Sequence, residues 1–259
     1  MKTILTFAVS LVFASQVFAA DPQPFGPGDG AASKIESANK SGKAVFLVVF
    51  DKTGADKDKA MSIAKEALAK KPASAHVVEL NTVDADNSGL IAKYRLAGAP
   101  LPLILVLDKN GTAAGGYTLA QATPDGLVSI IPSPKFSEIL GGLTAQKSVL
   151  IVAYKESMVK KGTAIAKCKE AVKSMNNSAI TVELNIDNKE EATLLNNLKV
   201  NALATEPVIY AINKAGQITG TFPSETASTQ LVLAANKAAS SGCGPSGCAP
   251  GTSCAPAKK

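Results

Sequence analysis

The sequence predicts an α/β layered fold built twice, each copy around a mixed central sheet, with a cysteine-bearing tail after the second. Three observations predict it. Continuously apolar, β-branched runs alternate with stretches of helical periodicity, the pattern of strands covered on both faces by helices. The third run of each copy ends in a glycine-containing turn that folds the chain back as a hairpin, which makes the sheet mixed rather than purely parallel. The same landmarks then recur in the same order about 104 residues further on, the mark of an internal repeat. A chain of 259 residues that is 46% hydrophobic has the material for two cores of ordinary domain size and is not a disordered chain.

Taken in order, the first 20 residues are a leader. Met1 and Lys2 make a short positive start, residues 4–13 are apolar, and Ala19 and Ala20 supply small residues at cleavage spacing, so 1–20 reads as a secretory signal peptide. The apolar run is shorter than the ~20 residues a spanning helix needs, and no later run is both long and uninterrupted. The expected mature protein is therefore periplasmic or secreted, without a membrane span after cleavage. Residues 21–30 form a Pro/Gly-rich linker. The first unit is expected over 31–132 and the second over 133–241, followed by a Gly/Pro/Cys-rich flexible tail over 242–259.

Within the units, 44–50 (AVFLVVF) and 148–154 (SVLIVAY) are first strands. The helices after them, 57–70 and 163–175, carry the stripes Met61, Ala64, Leu68 and Ile165, Cys168, Val172. Second strands follow at 76–80 and 180–184, where Val78, Glu79, Leu80, Asn81 match Val182, Glu183, Leu184, Asn185 without change. Asp86 and Asn188 are expected N-caps of the next helices, which carry Leu90, Ile91, Tyr94 and Leu194, Leu195, Leu198. One inserted residue shifts the offset to 105, so that Pro102 meets Pro207 at the third strands, 103–107 and 208–212. The turns DKNG (108–111) and NKAG (213–216) close the hairpins.

This βαβαβ order, with a proline opening the third strand and a K-x-G turn after it, resembles the thioredoxin superfamily. The stretches 35–68 and 92–111 are similar to the two halves of secreted thioredoxin-like domains, and the second unit repeats the pattern more faintly. The resemblance implies two three-layer thioredoxin-like domains. It also implies a Cys-x-x-Cys at the start of the helix after the first strand, where the helix dipole would lower a thiol's pKa. Here those positions fall on Ala55, Asp56, Lys57 and Asp58, and on Val159, Lys160, Lys161 and Gly162. Neither slot holds a cysteine, so ordinary thiol exchange is not expected of either domain. The resemblance further implies that Pro102 and Pro207 mark edges where an extended peptide or protein client pairs with the backbone, with Pro100 a competing assignment in the first unit; the prolines shape the turn into the strand in either case.

Three of the four cysteines, Cys243, Cys248 and Cys254, lie in the tail at C-x4-C-x5-C spacing. Three thiols suit a soft ion, Cu(I) or Zn, but equally an internal disulfide with one thiol left over, a link to a partner, or no defined role. Cys168 sits on an apolar helical stripe where the first unit has Ala64 and reads as core, and His76, the one histidine, has no ligand companions. The formal charge of +6 is carried by lysine, Arg95 being the single arginine, which argues for solubility rather than nucleic-acid recognition. Asp56 and Asp58 read as helix-start residues, and the lysine pairs at 70, 71 and 160, 161 as solvated faces. The leading expectation is a redox-degenerate tandem thioredoxin-like binding or scaffold protein, requiring no cofactor and leaning away from enzymatic activity. The alternative is thiol-dependent metal or disulfide handling through the C-terminal cysteines.

Overall fold

The computed structural model describes residues 30–238; the leader, all but the last residue of the Pro/Gly-rich linker, and the three tail cysteines lie outside them. Each unit begins with a helix, α1 (Ala31–Lys40) in the first and α5 (Pro134–Thr144) in the second. Then come β1 (Ala44–Phe50) or β5 (Ser148–Tyr154), and α2 (Ala55–Lys70) or α6 (Lys161–Ser174). Next are β2 (Ala75–Asn81) or β6 (Ala179–Asn185), a 3-10 turn, and α3 (Ser88–Lys93) or α7 (Ala192–Asn197). A hairpin follows, β3 (Leu103–Leu107) with β4 (Ala113–Thr118), or β7 (Val208–Ile212) with β8 (Ile218–Pro223). A last helix closes each unit, α4 (Pro124–Ser129) or α8 (Ser228–Ala235).

The two sheets have one topology. Their orders are β2-β1-β3-β4 and β6-β5-β7-β8. The first two strands of each unit pair in parallel and the third runs antiparallel to both neighbours. Every residue of the central strands β1 and β5 is buried, which the unbroken apolar runs require. Each fully buried Val, Leu or Phe there contributes roughly 1.5–3 kcal/mol. Val45, Leu47 and Val49 face a cluster with Ile35 of α1 and Leu90 of α3, whereas Phe46 and Val48 face Ala60, Ala64 and Ala67 of α2 and Leu127 of α4. The second unit repeats this: Val149, Ile151 and Ala153 meet Ile139 and Leu194, while Leu150 and Val152 meet α6 and Leu231 of α8. Both units are thus helix, sheet and helix in three layers.

Two expectations need correction. The stripe read as Met61, Ala64, Leu68 is centred instead on Ala60, Ala64 and Ala67, and its counterpart on Ala164, Cys168 and Ala171, all with no exposure. Small side chains let the helix axis approach the sheet closely, and the larger Met61, Leu68, Ile165 and Val172 pack at the flanks. The cap of the third helical segment in the first unit is Asp84, not Asp86: the Asp84 carboxylate accepts from the Asp86 N–H, and at the equivalent place Asn188 accepts from the Glu190 N–H. A 3-10 turn precedes each short helix; Asn188 caps it in the second unit as expected, while in the first the cap lies two residues before Asp86.

The hairpin turns show the physics most directly. Asp108 Oδ1 accepts from the N–H groups of Asn110 and Thr112, both at 2.8 Å. Asn213 Oδ1 accepts from Ala215 and Gln217 at 3.1 and 3.0 Å. Gly111 and Gly216 complete the turns at φ of 72° and 79°, backbone that a side chain would disfavour.

Candidate functional site

Because β1 and β3 are antiparallel, with Val49 opposite Leu103, the carboxyl end of β1 lies beside the amino end of β3. The start of α2 follows β1 after four residues. Each sheet therefore has a mouth where the strand end, the helix start and the proline of the third strand converge. Antiparallel pairing of Ala153 with Val208 builds the same mouth in the second unit.

In the first mouth, residues 55–58 form the first turn of α2, with Gly54 as N-cap and Asp56 and Asp58 near the positive end of the helix dipole. Lys57 turns inward rather than to solvent: its side chain is 19% exposed, its Nζ lies 4.8 Å from the Phe50 ring centroid and 2.7 Å from Glu79 Oε2. The ammonium is held by a ring face below and a carboxylate at its side. In the second mouth Lys161 does the same, 4.4 Å from the Tyr154 ring centroid and 2.6 Å from Glu156 Oε2. The hydrogen bond that Lys161 donates to the Glu156 carboxylate raises the lysine's pKa above its ordinary value. The two lysines stand at equivalent positions of the repeat, so in both units the turn that would carry the two cysteines, Ala55 to Asp58 and Val159 to Gly162, instead holds an amine on an aromatic ring at its third position.

The prolines differ between units. The Leu101–Pro102 bond is cis and is the only cis bond among the described residues; Pro100 and Pro207 follow trans bonds. The Pro102 carbonyl accepts from the Leu119 N–H at 3.1 Å, and Leu101 packs partly buried beside Leu96 and Leu103. At the second mouth the residue before the proline is charged. Glu206 Oε1 lies 2.9 Å from Lys160 Nζ, and Glu225 Oε1 lies 3.3 Å from the same nitrogen. Lys160 is the N-cap of α6, where a cation opposes the helix dipole; hydrogen bonds to Glu206 and then Glu225 raise its pKa.

The lysine pairs are accordingly not simply solvated faces. Lys160 and Lys161 are each engaged at the mouth, and Lys70 bonds Asp125 of α4. Sequence reading did not find Glu206 or Glu225 as partners, since 46 residues or more separate them from Lys160. Lys57 and Lys161 carried one legible signal, their identical offset from an aromatic strand end.

Cys168 is fully buried and is the one cysteine among the described residues. Burial pushes its thiol up to about 12, which makes it a poor nucleophile. Cys243, Cys248 and Cys254 lie outside the described residues. His76 is exposed on β2. No group of three His, Cys, Asp or Glu among the described residues is placed to hold a metal ion, and none of the described helices is long and apolar enough to cross a membrane.

No family model matches the sequence, and no curated protein matches it. Among solved structures, the first two thioredoxin domains of Naumovozyma dairenensis Eps1p are 11% identical, with 85% of this chain and 99% of that chain covered at a TM-score of 0.32. The zinc-bound form of human ERp44 is 10% identical over 78% of this chain and 56% of that one, at a TM-score of 0.34. The NTD_N/C domain of alkylhydroperoxide reductase AhpF from Enterococcus faecalis is 12% identical over 79% of this chain and 98% of that one, at 0.26. Strand order, the reversed third strand and helical cover on both faces, all present twice, give both units of this chain the thioredoxin-like fold.

Proposed function

We propose that this protein is a periplasmic or secreted binding scaffold, a pair of thioredoxin-like domains that hold extended segments of a peptide or protein client without exchanging thiols with it. One observation carries the reading: at both helix starts the Cys-x-x-Cys turn holds no cysteine, Ala55 and Val159 standing at its first position, and its third residue is a lysine laid on an aromatic ring, Lys57 on Phe50 and Lys161 on Tyr154. An ammonium held this way has no sulfur chemistry to offer, yet the mouth around it keeps the strand end and proline that suit strand addition. Pro102 and Pro207 open strands that are themselves paired on both sides, so a client would pair with the loop backbone just before them, and the leader sequence supports export.

The alternative, metal or disulfide handling, rests on Cys243, Cys248 and Cys254. With Cys168 buried inside the second unit, the tail holds the thiols available for exchange or for Cu(I) or Zn. A single set of measurements separates the two readings. The mature chain and a chain ending at residue 241 are compared for catalysed insulin reduction, for copper and zinc content under reducing conditions, and for binding of an unfolded, cysteine-blocked polypeptide. The scaffold reading expects binding by both chains and reduction by neither. Turnover by the shortened chain would refute it, and turnover or metal confined to the full chain would favour the tail.

A further inference from the structure

The second sheet ends on a bare edge. β6 pairs with β5 along all seven of its residues without a shift of register, and among the described residues no strand lies on its other side. Such an edge offers a row of unpaired N–H and C=O groups, which folds ordinarily blunt with lysine, proline or a bulge. β6 has none of the three. The chain before α5 gives no cover either: α4 ends at Ser129 and α5 begins at Pro134, and the residues between are too few to lie along the strand. A cleft of about 310 Å³ borders β6 instead, lined among others by Thr181, Glu183 and Asn185 of the strand and by Lys135, Glu138 and Glu191.

The strand is complementary to itself. Thr181, Glu183 and Asn185 stand beside Leu150, Val152 and Tyr154 and share their face, toward α6, where Glu183 Oε1 lies 3.2 Å from Lys169 Nζ. Ile180, Val182 and Leu184 share the apolar face toward α5. Two copies of β6 laid antiparallel about a two-fold axis at Val182 set Thr181 opposite Glu183 twice and Ile180 opposite Leu184 twice. That register puts a hydroxyl against a carboxylate on one face and apolar pairs on the other. Thr181 supplies an independent sign: its Oγ1 is buried with no hydrogen-bond partner among the described residues, a condition that native proteins leave in few places. One χ1 step exchanges hydroxyl and methyl and turns the donor toward the facing carboxylate. The edge of the first unit lacks this fit. β2 has His76 for Ile180 and Val77 for Thr181, so the same register there puts Val77 against Glu79 and His76 against Leu80.

We propose that β6 is a self-association edge: two copies of this chain pair antiparallel through residues 179–185, joining their four-stranded second sheets into one continuous sheet. The occupant is a second copy because the register that gives the orphaned Thr181 hydroxyl a carboxylate is the strand's own. The proposal goes beyond the scaffold reading and does not depend on it. Pairing along one short edge buries less surface than a permanent dimer does, so the association is weak and follows protein concentration. Like charges placed directly opposite one another weaken strand pairing and unlike charges support it. The two-fold axis makes every such pair occur twice, which doubles the effect of one substitution.

Sedimentation velocity follows the full mature chain from roughly 1 μM to roughly 1 mM, under reductant so that links through the tail cysteines do not count. Hydrogen–deuterium exchange at both ends of that range locates the contact. A dimer is expected, with concentration-dependent protection over 179–185 and none over 75–81. Thr181→Glu sets carboxylates opposite Glu183 and is expected to weaken the dimer about tenfold, whereas Thr181→Lys sets unlike charges there and is expected to keep or tighten it. Val77→Glu, at the matching position of β2, is expected to change nothing. Thermal melts confirm that each variant is folded. A chain that stays monomeric across the range would overturn the proposal, as would protection that rises over 75–81 instead, or equal weakening by Thr181→Glu and Thr181→Lys. Protection over 179–185 that follows added carboxymethylated insulin B chain rather than protein concentration would also overturn it, making the edge a client site.

Discussion

Replacing Cys168 tests whether the thiol of the second unit is packing or chemistry. The side chain has no exposure, and its cluster includes Leu150, Val152, Ala164, Ala171, Leu231 and Ala234. Serine puts a hydroxyl there whose one local recourse is the Ala164 carbonyl a turn earlier, a bond that tends to bend the helix. Burying a hydroxyl without a good partner costs about 1–3 kcal/mol. Alanine, the residue at this position of the first unit, loses only the contacts of one sulfur, about 1 kcal/mol by analogy with small core truncations. Serine should therefore be the worse substitution although it is closer in shape. For a domain of ~100 residues, 1 kcal/mol shifts the melting temperature by roughly 4–8 °C, so Cys168→Ser should lower the second unit's transition by roughly 8–16 °C and Cys168→Ala by roughly half as much, read by calorimetry. The same burial holds the thiol near 12, leaving about one molecule in ten thousand ionised at pH 8. In native protein, iodoacetamide followed by mass spectrometry should find Cys168 untouched until denaturant is added. Equal destabilisation by serine and alanine, or labelling of Cys168 in native protein at the rate seen in denaturant, would refute the reasoning.

Two further perturbations probe the frame around the mouths. Glu191 is 1% exposed, and its carboxylate accepts from the Ser133 hydroxyl and from the Lys135 N–H at 2.9 Å, closing the start of α5; Glu191→Ala strands both donors and should cost about 2–3 kcal/mol in urea unfolding of the second unit, with Glu191→Gln recovering part. A loss under about 0.5 kcal/mol, the range of ordinary surface substitutions, would show that water serves those donors equally well. Tyr94 donates to the Gly111 carbonyl at 3.0 Å, and burial followed by the nearby Asp108 raises its pKa to about 12. The neutral phenol is the favoured form, so its contribution to stability is whole below the ordinary value of about 10 and is lost as pH climbs through about 12. Tyrosinate absorbance should show a late-ionising group that Tyr94→Phe removes, and a titration complete near pH 10 in the folded protein would contradict this.

Much of this protein is written locally. The runs at 44–50 and 148–154 could be read as buried central strands because every residue in them is apolar or small, and both are buried throughout. Gly111 and Gly216 announced the hairpins because a left-handed turn position strongly favours glycine. Other features escaped because their signal is spread across the chain. The cover helix α1 sets Ile35 among mostly polar and small residues and α5 is interrupted by Gly141 and Gly142, and the choice of Asp84 over Asp86 as cap depends on a 3-10 turn that periodicity does not register. The alanine seam of α2 looked too small to be the centre of a core until the sheet was laid against it.

The sequence by itself determined that there are two units, that their strands alternate with helices, and that no cysteine stands at either helix start, since periodicity and residue identity are properties of neighbours along the chain. Only the tertiary structure decided what each lysine does. Lys57 and Lys161 became ring-bound cations because β1 and β5 end in an aromatic residue beneath the first helical turn. Lys160 became the centre of an ion triad because the fold brings residues 206 and 225 to it. An ion pair forms through a few ångströms of space, and the distance along the chain carries no record of it.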